Sequence, residues 1–304
     1  MRHMAAVRPE AIRHSFADIN GVRIHCASAG DRGRPLILFL HGFPEFWYAW
    51  REQLFDFGRD FLAVAPDLRG YNLSSKPAEV ERYQMSQLVG DVRALIAHLG
   101  KKSCVLVAHD WGGVVGWATA IACPDSVEKL VIINAPHPGI FQRELRENPA
   151  QQQASQYMLM FQSPEAEAMI SANNFALFQA GILGEGLQKG YFNEVDRQAY
   201  LGAWSQPGAM TGGLNYYRAA KMGPPSAAGD EASGMKLNLP SLDVQAPTLV
   251  IWGEQDPYLL TGNLNGLDQF VPRLRIECIP DGTHWVVHEK PALVNSLIRD
   301  FVQS

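Results

Sequence analysis

The sequence predicts an α/β protein with a mainly parallel sheet and a helical insertion late in the chain. Strand-like apolar runs alternate with helix-like segments between residues 35 and 136, the pattern of strands joined by crossover helices. Alternation stops from Gly139 to about Asp243, where Gln, Ala, Met and aromatic residues dominate without a strong strand signal. It resumes after that and runs to the C-terminus. The expected division is therefore a core over 1–138 and 244–304, interrupted by a lid over 139–243.

Each element has its own warrant. "FADIN" and "VRIHCASAG" flank Asn20-Gly21, a favoured two-residue hairpin turn. "PLILFLHG" (35–42) is continuously apolar, as a strand covered on both faces should be. An amphipathic segment (46–59) leads to the strand "FLAVAPDLRG" and the helix "QMSQLVGDVRALIAHLG", which stops on Gly100. A strand over 104–109, a helix over 112–122 and the strand "KLVIINAP" close the first half. Within the insertion, "MGPPSAAGDEASG" (222–234) predicts a surface loop. "PTLVIWGEQD" (247–256), "RLRIECIPDGTH" (273–284) and the helix "KPALVNSLIRDFV" complete the chain, for eight strands in all.

Composition narrows the classes of function. The chain has 304 residues, a net charge of −5 and no basic run, which argues against a nucleic-acid or membrane-surface partner. Cys26, Cys104, Cys123 and Cys278 are scattered without CxxC spacing, so neither a disulfide framework nor a metal site is expected. The N-terminal stretch lacks the apolar core of a signal peptide, and no apolar run approaches the roughly 18 residues of a membrane span. A cytoplasmic enzyme with no cofactor is the expectation, either monomer or homodimer.

The chemistry concentrates at predicted strand ends, where ligands bind in such sheets. In "CVLVAHDWGG" a strand turns into a helix through small residues, with Asp110 at the turn. A side chain there is presented at the top of the sheet, facing the positive end of the following helix. Asp110, Asp256 and His284 keep the chain order nucleophile, acid, histidine. A carboxylate attacking an ester would make an anhydride, whereas at a saturated carbon it makes a stable alkyl ester. His284 would then activate water against that ester, with Asp256 holding the imidazole tautomer. Backbone N–H groups of Phe43 and Trp111 are the expected oxyanion donors. Glu254 and His288 compete for the roles of acid and base. The position after "PDGT" favours His284, leaving His288 as a surface or packing residue. His41 and His109 are expected to orient backbone.

"HGFPEFWYAWR" (41–51), "DLRGYNLSSKP" (67–77), "HDWGG" (109–113) and "GTHW" (282–285) together resemble the soluble epoxide hydrolases of the α/β-hydrolase fold. The resemblance covers nearly the whole chain. It implies an apolar epoxide and water as reactants and two lid tyrosines that protonate the opening ring. Tyr217 in "GLNYYR" and Tyr157 in "QYMLMFQSP" match these, among lid tyrosines that also include Tyr191, Tyr200 and Tyr216. His41, Trp111, Tyr157 and Tyr217 are the implied substrate-binding residues. Ala108 and Asn72 stand where glycine is more usual. The rival readings are a haloalkane or haloacid dehalogenase using the same triad, or a small-molecule receptor without turnover. Haloalkane dehalogenases typically place a side-chain donor at the position of Phe43, and fluoroacetate dehalogenases an arginine at that of Trp111. Both differences favour the epoxide.

Overall fold

The computed structural model describes residues 12–225 and 241–304. The chain opens on a hairpin of β1 (Arg13–Ile19) and β2 (Val22–Ala29). Asn20 and Gly21 both have positive φ, 47° and 71°, as the tight turn between them requires. β3 (Leu36–Leu40) and α1 (Arg51–Phe57) follow, then β4 (Leu62–Pro66), α2 (Met85–His98), β5 (Cys104–His109), α3 (Asp110–Ala122) and β6 (Val127–Ile133). Next comes an unbroken series of helices. These are α4 (Pro138–Glu147), α5 (Pro149–Ala154), α6 (Tyr157–Gln162), α7 (Ala166–Phe178), α8 (Glu185–Lys189), α9 (Glu194–Trp204) and α10 (Ala209–Ala220). β7 (Thr248–Gly253), β8 (Leu274–Ile279), α11 (Val286–Glu289) and α12 (Pro291–Gln303) finish the fold.

The eight strands form one sheet in the order β1-β2-β4-β3-β5-β6-β7-β8. β1 and β2 pair antiparallel, as do β2 and β4, and every later pairing is parallel. The apolar run of β3 splits by its period of two. Leu36, Leu38 and Leu40 face a core built with α2, α3 and the helical insertion. Ile37 and Phe39 face a second core built with α1 and α12. Burial on both faces is why that strand reads as continuously hydrophobic.

The structure shifts some expected boundaries. The amphipathic segment 46–59 divides into a 3-10 turn, Trp47–Trp50, and α1. α3 begins at Asp110 rather than residue 112. The loop expected over 222–234 falls mostly outside the described residues. Among the described residues no helix is long and apolar enough to cross a membrane.

Candidate active site

The turn from β5 into α3 is tight, and the residues around it explain how it closes. Asp110 has a left-handed backbone, φ 50°, which is costly for a residue with a Cβ and lifts its carboxylate above the sheet. Gly112 lets the start of α3 approach β3, since a Cβ there would lie 2.3 Å from the Leu40 carbonyl oxygen. A Cβ on Gly42 would lie equally close, 2.3 Å, to the Cβ of Asp110. The two unusual residues noted in the sequence are accommodated. The Ala108 methyl packs over Gly116, which leaves room for it. Asn72 adopts a φ of 38° and donates to Asp67 Oδ2 at 2.9 Å, as asparagine does more readily than other non-glycine residues.

Asp110, His284 and Asp256 meet at the carboxyl end of the sheet. Asp256 Oδ2 accepts from His284 Nδ1 at 2.7 Å, and His284 Nε2 lies 3.6 Å from Asp110 Oδ2. Asp110 Oδ1 accepts the Phe43 backbone N–H at 2.7 Å. Asp256 is held by every side it offers. Its Oδ1 accepts from the Tyr258 and Leu259 amides at 2.8 and 2.9 Å, and its Oδ2 also accepts from Asn134 Nδ2 at 2.8 Å. Glu254, the competing acid, is exposed.

Burial would lower the pKa of His284, but the charges of Asp256 and Asp110 and hydrogen bonds to both raise it to about 10. Burial would likewise raise the pKa of Asp110; hydrogen bonding and charge from His284 outweigh it and keep that carboxyl below the usual range. The imidazolium form of His284 is thus the one favoured between Asp110 and Asp256.

Across a cavity of ≈ 200 Å³ from these charges stand two tyrosines. Tyr157 opens α6 and Tyr217 lies on α10; both line the cavity with Asp110, His284 and Trp285. Their rings are edge-on at 6.2 Å. Burial, reinforced by the nearby Asp110 charge, pushes both phenols well above their ordinary pKa. Both are therefore neutral O–H donors. The other tyrosines of the helical insertion are engaged elsewhere: Tyr216 donates to the Arg69 carbonyl oxygen at 2.9 Å and Tyr200 to Glu45 at 2.8 Å. Tyr191 does not line the cavity.

The expectation for His41 needs correction, and Trp111 and His288 take places more specific than expected. His41 is not among the cavity residues; it is fully buried beneath the loop that carries Phe43. Its Nε2 accepts from the Leu68 amide at 3.0 Å and its Nδ1 donates to the Gly42 carbonyl at 2.8 Å, so it shapes backbone as its other expected role required. Trp111 lines a smaller recess that also borders Asp110 and Tyr157, and its ring packs edge-on against Tyr217 at 5.0 Å. Of the two places expected for His288, surface or packing, it takes the second: it is buried, and its Nε2 meets Glu45 Oε1 at 2.6 Å. That carboxylate also lies 3.3 Å from His109 Nδ1.

Three contributors escaped sequence reasoning. Asn134, at φ 40° after β6, clamps both Asp256 and the Gly253 amide. The signal was present as a lone polar residue ending a buried strand. Tyr258 packs edge-on against His284 at 5.5 Å and lines the cavity. Glu45 joins His109, His288 and Tyr200 behind the site.

This geometry has relatives. Residues 35–291 match the α/β-hydrolase fold family. Epoxide hydrolase 4 of Mus musculus is 37% identical over 303 residues, 97% of this chain and 81% of that protein. The chain belongs to the epoxide hydrolase family of the α/β-hydrolase fold. A Bacillus subtilis protein, AB hydrolase superfamily protein YfhM, is 35% identical over 97% of this chain and 99% of its own length. Among solved structures of the family, a variant of an epoxide hydrolase from Bacillus megaterium superposes with a TM-score of 0.90 at 39% identity, covering 95% of this chain and 100% of that one.

Proposed function

We propose that this enzyme converts an apolar epoxide to a vicinal diol through an alkyl ester on Asp110, with residues 139–243 acting as the lid that carries the proton donors. The observation that carries the reading is the pair of neutral tyrosine hydroxyls facing an ionised aspartate across an apolar cavity. An opening epoxide generates a basic alkoxide opposite the attacking carboxylate, and a buried phenol is the group able to protonate it.

In the first step Asp110 Oδ2, the oxygen not engaged by Phe43, attacks a ring carbon and breaks its C–O bond. The alkoxide takes a proton from Tyr157 or Tyr217. Esterification removes the Asp110 charge, so the His284 pKa falls and its proton returns the tyrosinate to the phenol. Neutral His284 is then a base. It takes a proton from water, and the hydroxide adds to Cγ of the ester. The oxyanion develops on Oδ1, at the Phe43 N–H with the Trp111 N–H as second donor. Collapse expels the diol oxygen, which leaves with the proton of the newly formed Asp110 carboxyl. Free Asp110 and protonated His284 are regenerated, so every proton is accounted for.

The cellular setting we favour is the cytoplasm, in keeping with the free thiols of Cys26, Cys104, Cys123 and Cys278. The test of the reaction is product analysis with a simple aryl epoxide and, in parallel, a haloalkane. Vicinal diol from the first is expected; halide release without any diol would contradict the reading.

A further inference from the structure

Asp110 and Tyr157 line two recesses, and these differ about tenfold in volume, ≈ 200 Å³ against ≈ 20 Å³. An epoxide poised between that carboxylate and that phenol must direct the substituents of its two carbons toward opposite sides. The large recess is walled by Phe43, Phe161, Phe178, Ile182 and Trp285, with Leu177, 47% exposed, at its open end. A dry apolar cavity of roughly 150 Å³ accommodates one benzene ring, so this recess has room for one ring. None of its lining residues is Arg or Lys, and its one cationic group, His284, already sits between Asp110 and Asp256, so it offers a carboxylate-bearing arm no free partner.

The small recess is narrow. Trp111, Val114, Phe141, Met158 and Met222 line it and are all buried. Its volume is near that of one water molecule, for which about 10–15 Å³ is the minimum. A hydrogen fits there; a ring does not.

Resting on the proposed epoxide chemistry, we infer that the substrates are terminal epoxides bearing one apolar arm about the size of an aromatic ring, with the unsubstituted CH₂ turned toward Met222. Packed side chains that must be displaced oppose a second substituent, and a single added carbon already discriminates by about tenfold or more.

The experiment compares kcat/KM of the wild-type protein for styrene oxide, trans-β-methylstyrene oxide and trans-stilbene oxide. The expected order is a fall of at least about tenfold for the methyl and about 100-fold or more for the second ring. Met222→Ala, which shortens a wall of the small recess only, should raise the stilbene oxide to styrene oxide ratio about tenfold. Comparable rates for all three in the wild type would overturn the inference while leaving epoxide hydrolysis standing. An unchanged ratio in folded Met222→Ala would overturn it as well. No diol from any of the three would instead remove the reaction on which it rests. The wild-type series needs no variant to fold.

Discussion

The two halves of the site are built by different means. On the sheet side, charge is fixed by saturation: Asp256 accepts four hydrogen bonds, two from backbone amides. Asp110 Oδ1 is pinned by another amide. On the side of the helical insertion, Tyr157 and Tyr217 are positioned by aromatic packing, chiefly against Phe161 and Trp111, and both line the cavity. The contrast follows from the task. Ionised groups that must not move need full hydrogen bonding, because an unpartnered buried charge is very costly. A proton donor must keep its hydroxyl free for the substrate.

The sharpest way to break this contrast is to remove the fixed nucleophile. Asp110→Ala should lower diol formation by on the order of 10⁶, the scale of a lost nucleophile in a triad, with the fold retained by circular dichroism. Measurable turnover above trace would mean that the sheet side does not carry the covalent step.

Removing the proton donors should cost less. Tyr157→Phe with Tyr217→Phe should slow ester formation in single-turnover kinetics by about 10²–10⁴-fold, with smaller losses for each alone. The breakdown of an ester already formed should be nearly unaffected. Equal losses in both steps would indicate a damaged lid rather than a lost acid.

A smaller loss is expected for Asn134→Ala, which deprives Asp256 of one donor and the Gly253 amide of its acceptor. A buried hydrogen bond of this kind is worth about 1–3 kcal/mol, which corresponds to roughly 5- to 150-fold in rate. The loss should fall on ester hydrolysis, seen as accumulation of alkyl-enzyme. A loss confined to ester formation would contradict the assigned role of Asn134.

The mildest effect concerns pH. Because the folded-state pKa of His284 is raised to about 10, its charge stabilises the fold fully below its unfolded value near 6.5. That contribution is lost as pH rises from there through about 10. Chemical denaturation across this window should show declining stability in the wild type and a flatter profile in His284→Gln. Identical profiles would mean that the imidazolium is not held between two carboxylates.

How much of this was legible in the sequence depends on how local each signal is. Asp110 announced itself because the sharp turn demands small neighbours within a few positions, and His284 because "PDGT" ends a strand just before it. Asp256 was separable from Glu254 only by chain order and turn context. Tyr157 and Tyr217 were distinguished from Tyr200 and Tyr216 by family resemblance, since all four are aromatic residues on helices of the insertion and packed against its core. Asn134 and Glu45 were not found. Their importance lies in partners more than a hundred residues away, as in Asn134 with Asp256 and Glu45 with His288, and no periodicity or spacing encodes that. His41 misled for the opposite reason: a histidine beside the oxyanion loop is near the site in sequence, yet its ring turns into the fold.

The central claim, an ester on Asp110 that only His284 can resolve, is tested most directly by trapping it. His284→Gln removes the base while Asp110 keeps its Phe43 amide and the tyrosines keep their protons. Incubated with saturating aryl epoxide and digested, this variant should carry a mass increase equal to one epoxide on the peptide containing Asp110. A protein that stays unmodified under those conditions, or that carries the adduct on a different residue, would contradict the account.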